Sequence, residues 1–307
     1  MALAVAATLG GCGSSSPPDR SSRAATSASA PQHRSLAAAR GRTRRLRDRL
    51  RATRAAVAPQ GSIFTAADRS SFTTLAARLG GSSGIAVAPV GRRTAVDELG
   101  ALRAGPAWST IKTAIAATVL GRGGGSPGTQ GLLRRAITES DNAAAQALWS
   151  SLGAPAAAGA AVARTLAAAG DTATSVETRV LRPGFSSFGQ TSWSLAGQAR
   201  FTAGLPCLAS GRPVLALMGE VVSGQRWGLG SSGLPARFKG GWGPDPGGRY
   251  LVRQLGVLTL PDDRTVAVTL ASMPADGSFA TGTQDLTELA RWVAPRIARR
   301  GIRGGGC

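Results

Sequence analysis

Apolar residues recur along the chain with two alternating periods. Phe72, Leu75, Ala76 and Leu79 fall at helical spacing and Gly80-Gly81 end the pattern, which predicts a helix over 66–79. Ile85 to Val90 reads as a strand, and Thr94 to Leu102 as a second. The run from Ile111 to Leu120 is dominated by Ala, Ile, Val and Leu, so it predicts a buried helix ending near Gly121. After a loop from Gly121 to Gly128, helices are expected over 129–137 and 142–152, on either side of a break at Glu139-Ser140-Asp141-Asn142. An alanine-rich helix follows over 155–169. Residues 171–191 lack periodicity and read as a long loop. Helices at 193–204 and 213–223 lead to strands at 236–240, 250–260 and 266–273. Pro261-Asp262-Asp263-Arg264 forms the hairpin between the last two strands, and a helix over 283–299 closes the pattern. Strands at both ends around a helical middle predict an α+β fold. One mostly antiparallel sheet is flanked by terminal helices, with a second, all-helical subdomain beside it.

The first 61 residues follow neither period. Residues 1–12 are apolar and small up to Cys12, 13–37 are rich in Ser, Pro and Ala, and 38–57 are alanine-rich with eight arginines. The expected division is a leader over 1–12, a disordered linker with a basic segment over 13–61, a folded domain over 62–302 and a flexible tail over 303–307. The basic segment reads either as a helix for an anionic surface or as a solvated spacer. The chain carries 36 Lys+Arg and a net charge of +20, of which +9 lies in residues 1–61. Aromatic residues make up only 5% and no basic stripe is interleaved with them, so a specific nucleic-acid surface is not expected. There are no 18 consecutive apolar residues, and hence no expected spanning helix. The single histidine, His33, lies before the folded domain, which excludes a Ser-His-Asp triad and a histidine-based zinc site within it. No metal and no organic cofactor are expected.

The candidate chemistry follows from lysine usage. Of the 36 cationic side chains only Lys112 and Lys239 are lysines. Arginine cannot lose its proton in a protein and lysine can, so a lysine kept against that background has a task arginine cannot perform. In Ser109-Thr110-Ile111-Lys112, positions i and i+3 share a helix face, which brings a hydroxyl nucleophile towards an amine that burial can turn into its base. Further on come Ser140-Asp141-Asn142 and, on a late strand, Lys239-Gly240-Gly241. Singly each is weak: the first also describes a surface serine and lysine, the second a helix cap, the third a strand end.

Taken as an ordered set, the three motifs resemble those of the class A β-lactamases and the wider penicillin-recognising serine enzymes, S-x-x-K, S-D-N and K-T/S-G, over roughly Ser62 to Gly301. The resemblance implies a serine hydrolase that opens a β-lactam amide through a Ser109 acyl-enzyme, with Lys112 and Ser140 moving protons. It implies that Asn142 orients Lys112 and binds substrate, and that the backbone N–H groups of Ser109 and Trp242, after Gly241, form an oxyanion hole. Lys239, with an arginine nearby, would hold the substrate carboxylate; Arg253 and Arg249 are the candidates. Glu177, in Ser175-Val176-Glu177-Thr178-Arg179, stands where the class A deacylating glutamate is expected, as base or as a surface residue. The proline and asparagine usual around that glutamate are missing, and Gly240 replaces the usual Thr or Ser. The alternatives are a D-alanyl-D-alanine peptidase acting on peptidoglycan peptide, and an envelope protein that binds without turnover. Leu9-Gly10-Gly11-Cys12 resembles a bacterial lipobox, which implies an exported protein anchored to the membrane by lipid at Cys12, although the positive segment before such a leader is missing. A monomer is expected. Cys207 and Cys307 read either as a pair or as free thiols.

Overall fold

A computed structural model describes residues 62–302, apart from 93 and 301, together with residue 307. The expected leader, lipidation site Cys12 and linker therefore lie outside the described residues, as do 303–306 of the expected tail. The elements are α1 (Ala66–Leu79), β1 (Ser82–Pro89), β2 (Asp97–Gly100), β3 (Ala104–Pro106), α2 (Lys112–Gly121), α3 (Pro127–Arg134), α4 (Asn142–Ser150), α5 (Pro155–Ala168), β4 (Ser192–Ser194), α6 (Leu195–Gly204), α7 (Gly211–Gly219), β5 (Ala236–Pro244), β6 (Tyr250–Thr259), β7 (Thr265–Met273) and α8 (Phe279–Arg299).

Five strands form one antiparallel sheet in the order β2-β1-β7-β6-β5. Its two faces differ as strand alternation requires. Ile85 and Val87 of β1 and Val266, Val268 and Leu270 of β7 bury against α1 and α8, where Trp292 meets Phe64 and Phe72 at ring-centroid distances of 5.8 and 5.4 Å. On the opposite face Ala86, Ala88, Ala267 and Ala271 present small side chains, and α6 settles on them through Leu195, Ala199 and Ala203. A second core surrounds α2, whose residues Lys112 to Val119 are all buried, with α4, α5 and α7 around it. The structure is thus the α+β arrangement read from the sequence.

Several boundaries differ. The strand expected over Thr94 to Leu102 is ordered only over Asp97–Gly100, because its length is set by the four residues of β1 it pairs with. The helix expected at 129–137 begins two residues earlier, where Ser126 caps it and Pro127 takes the first helical position, and it ends in a wide turn over Arg135–Glu139. Strand β5 continues four residues beyond Gly240, through Trp242 to Pro244, in register with β6. Helix α8 starts at Phe279 behind the Ser278 cap. Cys307 is bonded to Cys207 in the turn between α6 and α7, so the last residue is tethered.

Candidate active site

The backbone turns sharply just before Ser109. Trp108 holds φ at +48°, a left-handed conformation that side chains other than glycine rarely adopt, and a single 3₁₀ turn over Trp108–Ile111 leads into α2. Buried polar bonds hold this turn from below. Arg253 donates to the carbonyls of Gly105 and Pro106 at 2.8 and 2.9 Å, to that of Trp193 at 2.9 Å and to Gln198 Oε1 at 2.7 Å. Gln198 Nε2 in turn donates to Thr110 Oγ1 at 2.7 Å, next to Ser109. Strand β5 crosses on the other side: a Cβ on Gly241 would lie 2.8 Å from the amide nitrogens of both Ser109 and Thr110, so only glycine lets the strand pass there. That approach brings the amide of Ser109 to the strand that carries Trp242.

Lys112 is 2% exposed and sends its amine away from its own helix. Its Nζ donates to Ser140 O at 2.6 Å and Asn142 Oδ1 at 2.7 Å, with Asp141 O at 3.3 Å and Ser140 Oγ at 3.4 Å. Burial pulls its pKa down to about 8, against an opposing pull from the charge of Asp141. A neutral amine has two N–H groups and one lone pair, and the two short acceptors use both N–H groups, leaving the lone pair as the basic position. Ser140 sits in a left-handed conformation, φ +64°, between the wide turn and the cap of α4, where Asp141 accepts from Ala144 N. Its Oγ accepts from Lys239 Nζ at 2.8 Å, so the hydroxyl proton of Ser140 is free to point elsewhere. Lys239 is fully buried and donates also to Gly240 O at 2.9 Å; burial, and then the neighbouring Lys112, hold its pKa well below the ordinary lysine value. Ser109, Lys112, Ser140, Asn142 and Trp242 line one cleft of about 810 Å³, with Trp149, Phe185 and Phe188 along its walls.

Of the expected residues that do not line this cleft, Lys239 and Gly241 stand directly behind it, against Ser140 and the Ser109 turn, whereas Glu177, Arg253 and Arg249 are turned elsewhere. Thr178 and Val180 line the cleft, but Glu177 between Val176 and Thr178 does not. The Glu177 carboxylate turns back on its own loop, where it accepts from the backbone of Thr178 at 3.0 Å and of Arg179 at 2.9 Å and from Arg179 Nε at 3.1 Å. The Arg179 guanidinium, with those amides, pulls it down to about 2. Arg253 is 1% exposed and points behind the Ser109 turn, with both terminal nitrogens occupied, so it supports that turn rather than facing the cleft. Arg249 is exposed at the start of β6, and Tyr250 beside it pairs with Pro244, five residues along β5 from Lys239. Sequence reading missed Gln198, because a lone glutamine carries no pattern, and it also missed Trp227 and Gln254, which shape the third motif. The Gly240 departure is the only mark they leave.

The arrangement was compared with known proteins. No family model matches the chain, and no curated sequence matches it. Solved structures do. The extended-spectrum β-lactamase TLA-3 aligns with a TM-score of 0.63 at 14% identity, covering 77% of this chain and all 100% of that one. The fold is that of the class A β-lactamases. A β-lactamase of Chitinophaga pinensis aligns at 0.60 and 17% identity, covering 74% of this chain and 98% of that one. An ancestral class A β-lactamase aligns at 0.56 and 22%, covering 74% and 99%. On this β-lactamase fold the three motifs converge from α2, the α3–α4 junction and β5.

Proposed function

We propose that the chain is a serine hydrolase of the penicillin-recognising type, a class A-like β-lactamase in its acylation chemistry. The single observation that carries the reading is the hydroxyl of Ser140 standing between the amines of Lys112 and Lys239, in the cleft that Ser109 opens into. Neutral Lys112 takes the proton of Ser109 Oγ as that oxygen adds to the substrate carbonyl carbon. The backbone N–H groups of Ser109 and Trp242 receive the negative oxygen. Collapse of the adduct breaks the carbon–nitrogen bond; the leaving nitrogen takes the proton of Ser140, and Ser140 is reprotonated by the Lys112 ammonium. Water then opens the ester and returns the proton to Ser109 Oγ.

A second reading has an observation of its own. Glu177 is bound to Arg179 and does not line the cleft, so the step that uses water lacks the base a fast antibiotic hydrolase has. That favours slow release of the acyl group, as expected of a D-alanyl-D-alanine peptidase trapped by a penicillin. The Cys207–Cys307 bridge supports an exported protein, because such bonds persist in oxidising compartments; Cys12 is the proposed lipid attachment point.

The test is intact-mass analysis of the protein mixed with a penicillin and with a fluorophosphonate. A covalent adduct on Ser109 with both reagents, absent in Ser109→Ala, is expected. Steady release of hydrolysed penicillin favours the first reading and a persistent adduct the second. No adduct with either reagent refutes both.

A further inference from the structure

The third motif carries Gly240 where the pattern it resembles has a threonine or serine, at the point where a substrate carboxylate would be received, and the surroundings of Gly240 fill that space. A Cβ on Gly240 would lie 2.8 Å from Trp227 Cη2 and 3.1 Å from Trp227 Cζ2, so an indole ring fills the space of the missing threonine or serine. Trp227 belongs to a half-buried aromatic group. Its ring centroid is 5.9 Å from that of Trp242 and 6.2 Å from that of Phe279, and Trp242 and Phe279 stand 5.2 Å apart. Trp242 also lines the cleft, which makes the group a continuation of its wall.

Neither Arg253 nor Arg249 brings a guanidinium to Lys239, for a reason of register, and Arg226, next to Trp227, lies over the Phe238 ring, 5.7 Å from its centroid. Gly240 pairs with Gln254 and Gly241 with Arg253. Cross-strand partners share a face, and neighbours along a strand face opposite ways. The residue on the Gly240 face is therefore the neutral Gln254. It is fully buried, accepting from Leu229 N at 2.7 Å and donating to Trp227 O at 2.7 Å, so it fixes the segment that carries the indole. Arg249 stands at the far end of the hairpin, beyond a span of about 17 Å at ~3.3 Å per residue, farther than an arginine side chain reaches. Lys239 itself is fully buried and spends its amine on Ser140 Oγ and Gly240 O.

We infer that this cleft accepts neutral acyl donors with an apolar or aromatic group beside Lys239, and discriminates against substrates carrying a carboxylate there, because the Trp227–Trp242–Phe279 shelf and Gln254 replace the hydroxyl and guanidinium that would hold it. The inference rests on the acyl-enzyme reading above and names its substrate class. A carboxylate placed on this shelf loses water and gains neither donor, a loss that falls on the transition state as well as on binding.

The experiment measures the rate of Ser109 acylation, by time-resolved intact mass, with a penicillin and with the methyl ester of the same penicillin, a pair differing only in that charge. The methyl ester is expected to acylate the protein about tenfold faster or more, the factor that corresponds to one unpaired, partly desolvated charge. Trp227→Leu, which keeps the shelf apolar, should keep the preference, and Trp227→Arg, which places a guanidinium against Gly240, should invert it. Faster acylation by the free acid in the unsubstituted protein overturns the inference while leaving the acyl-enzyme reading intact. An unchanged preference in Trp227→Arg, with acylation retained, overturns the role given to the shelf. Adducts with neither penicillin, in protein that the fluorophosphonate labels on Ser109, refute the substrate class together with the penicillin-recognising reading.

Discussion

If Lys112 is the base, acylation must follow its titration. Its ordinary value is 10.5, and in the protein burial brings it to about 8. At pH 7 that raises the neutral fraction from about 0.03% to roughly a tenth, some 300-fold, equivalent to about 3 kcal/mol of desolvation in favour of the free amine. The sign is fixed by the chemistry: attack needs the unprotonated amine, so the rate rises about tenfold per pH unit below 8 and levels off above it. Asp141 opposes the shift, since its charge favours the ammonium form. Asp141→Asn keeps an oxygen to cap α4 and removes that charge, so the inflection should move to lower pH while the plateau stays. Lys112→Arg, which cannot lose its proton, should lower the plateau by roughly 10²–10⁴-fold. Stopped-flow acylation of Ser109 by the penicillin methyl ester between pH 5.5 and 10 provides the curve. A rate flat from pH 6 to 9, or an inflection that rises in Asp141→Asn, would refute Lys112 as the base.

Three further outcomes follow from the geometry. Gly241→Ala places a carbon 2.8 Å from two backbone nitrogens and 3.1 Å from Ala107 O; displacement of the Ser109 turn should slow acylation about 100-fold and cost about 1–3 kcal/mol of stability by denaturant titration. Glu177→Gln should leave acylation and release within about threefold, whereas loss of release by about 10² or more, the usual contribution of a general base, would return Glu177 to that role. Cys207→Ser opens a bridge spanning 100 residues, which should cost about 2–4 kcal/mol and lower the melting temperature by roughly 5–15 °C, with reductant reproducing the loss only in the unsubstituted protein.

What the chain disclosed in advance depended on the distance over which each signal acts. The helix at Ala66–Leu79 and the buried α2 were legible because their apolar residues repeat within one element. The convergence of Ser109, Lys112, Ser140 and Lys239 was legible through order and through the scarcity of lysine. Arg253 was misassigned because side-chain facing along a strand does not show whether the position is open: it pairs with Gly241, yet its guanidinium is spent on the Gly105, Pro106 and Trp193 carbonyls behind Ser109, and Gln254, one step on, is fully buried. Glu177 was placed by its count along a loop, yet its orientation is decided by Arg179 two residues later, a local contact that competes with any role in the cleft. Trp227 gave no sign of its own, because what it does is occupy the volume that Gly240 vacates.

Ser140 is held by one amine from the helical half and one from the sheet, Lys112 from α2 and Lys239 from β5. This cluster of Ser140 and the two amines therefore exists only while the helical half and the sheet are docked. A slight parting of the halves separates those amines and draws Leu255 and Val257 of β6 out of the helical cluster, while the cluster between the sheet and α8 stays closed. On the acyl-enzyme proposal, the rate of Ser109 acylation then reports a partial opening that circular dichroism does not see. In rising denaturant the loss of acylation should precede the loss of secondary structure, and hydrogen exchange at the α3–α4 junction should follow the earlier of the two transitions.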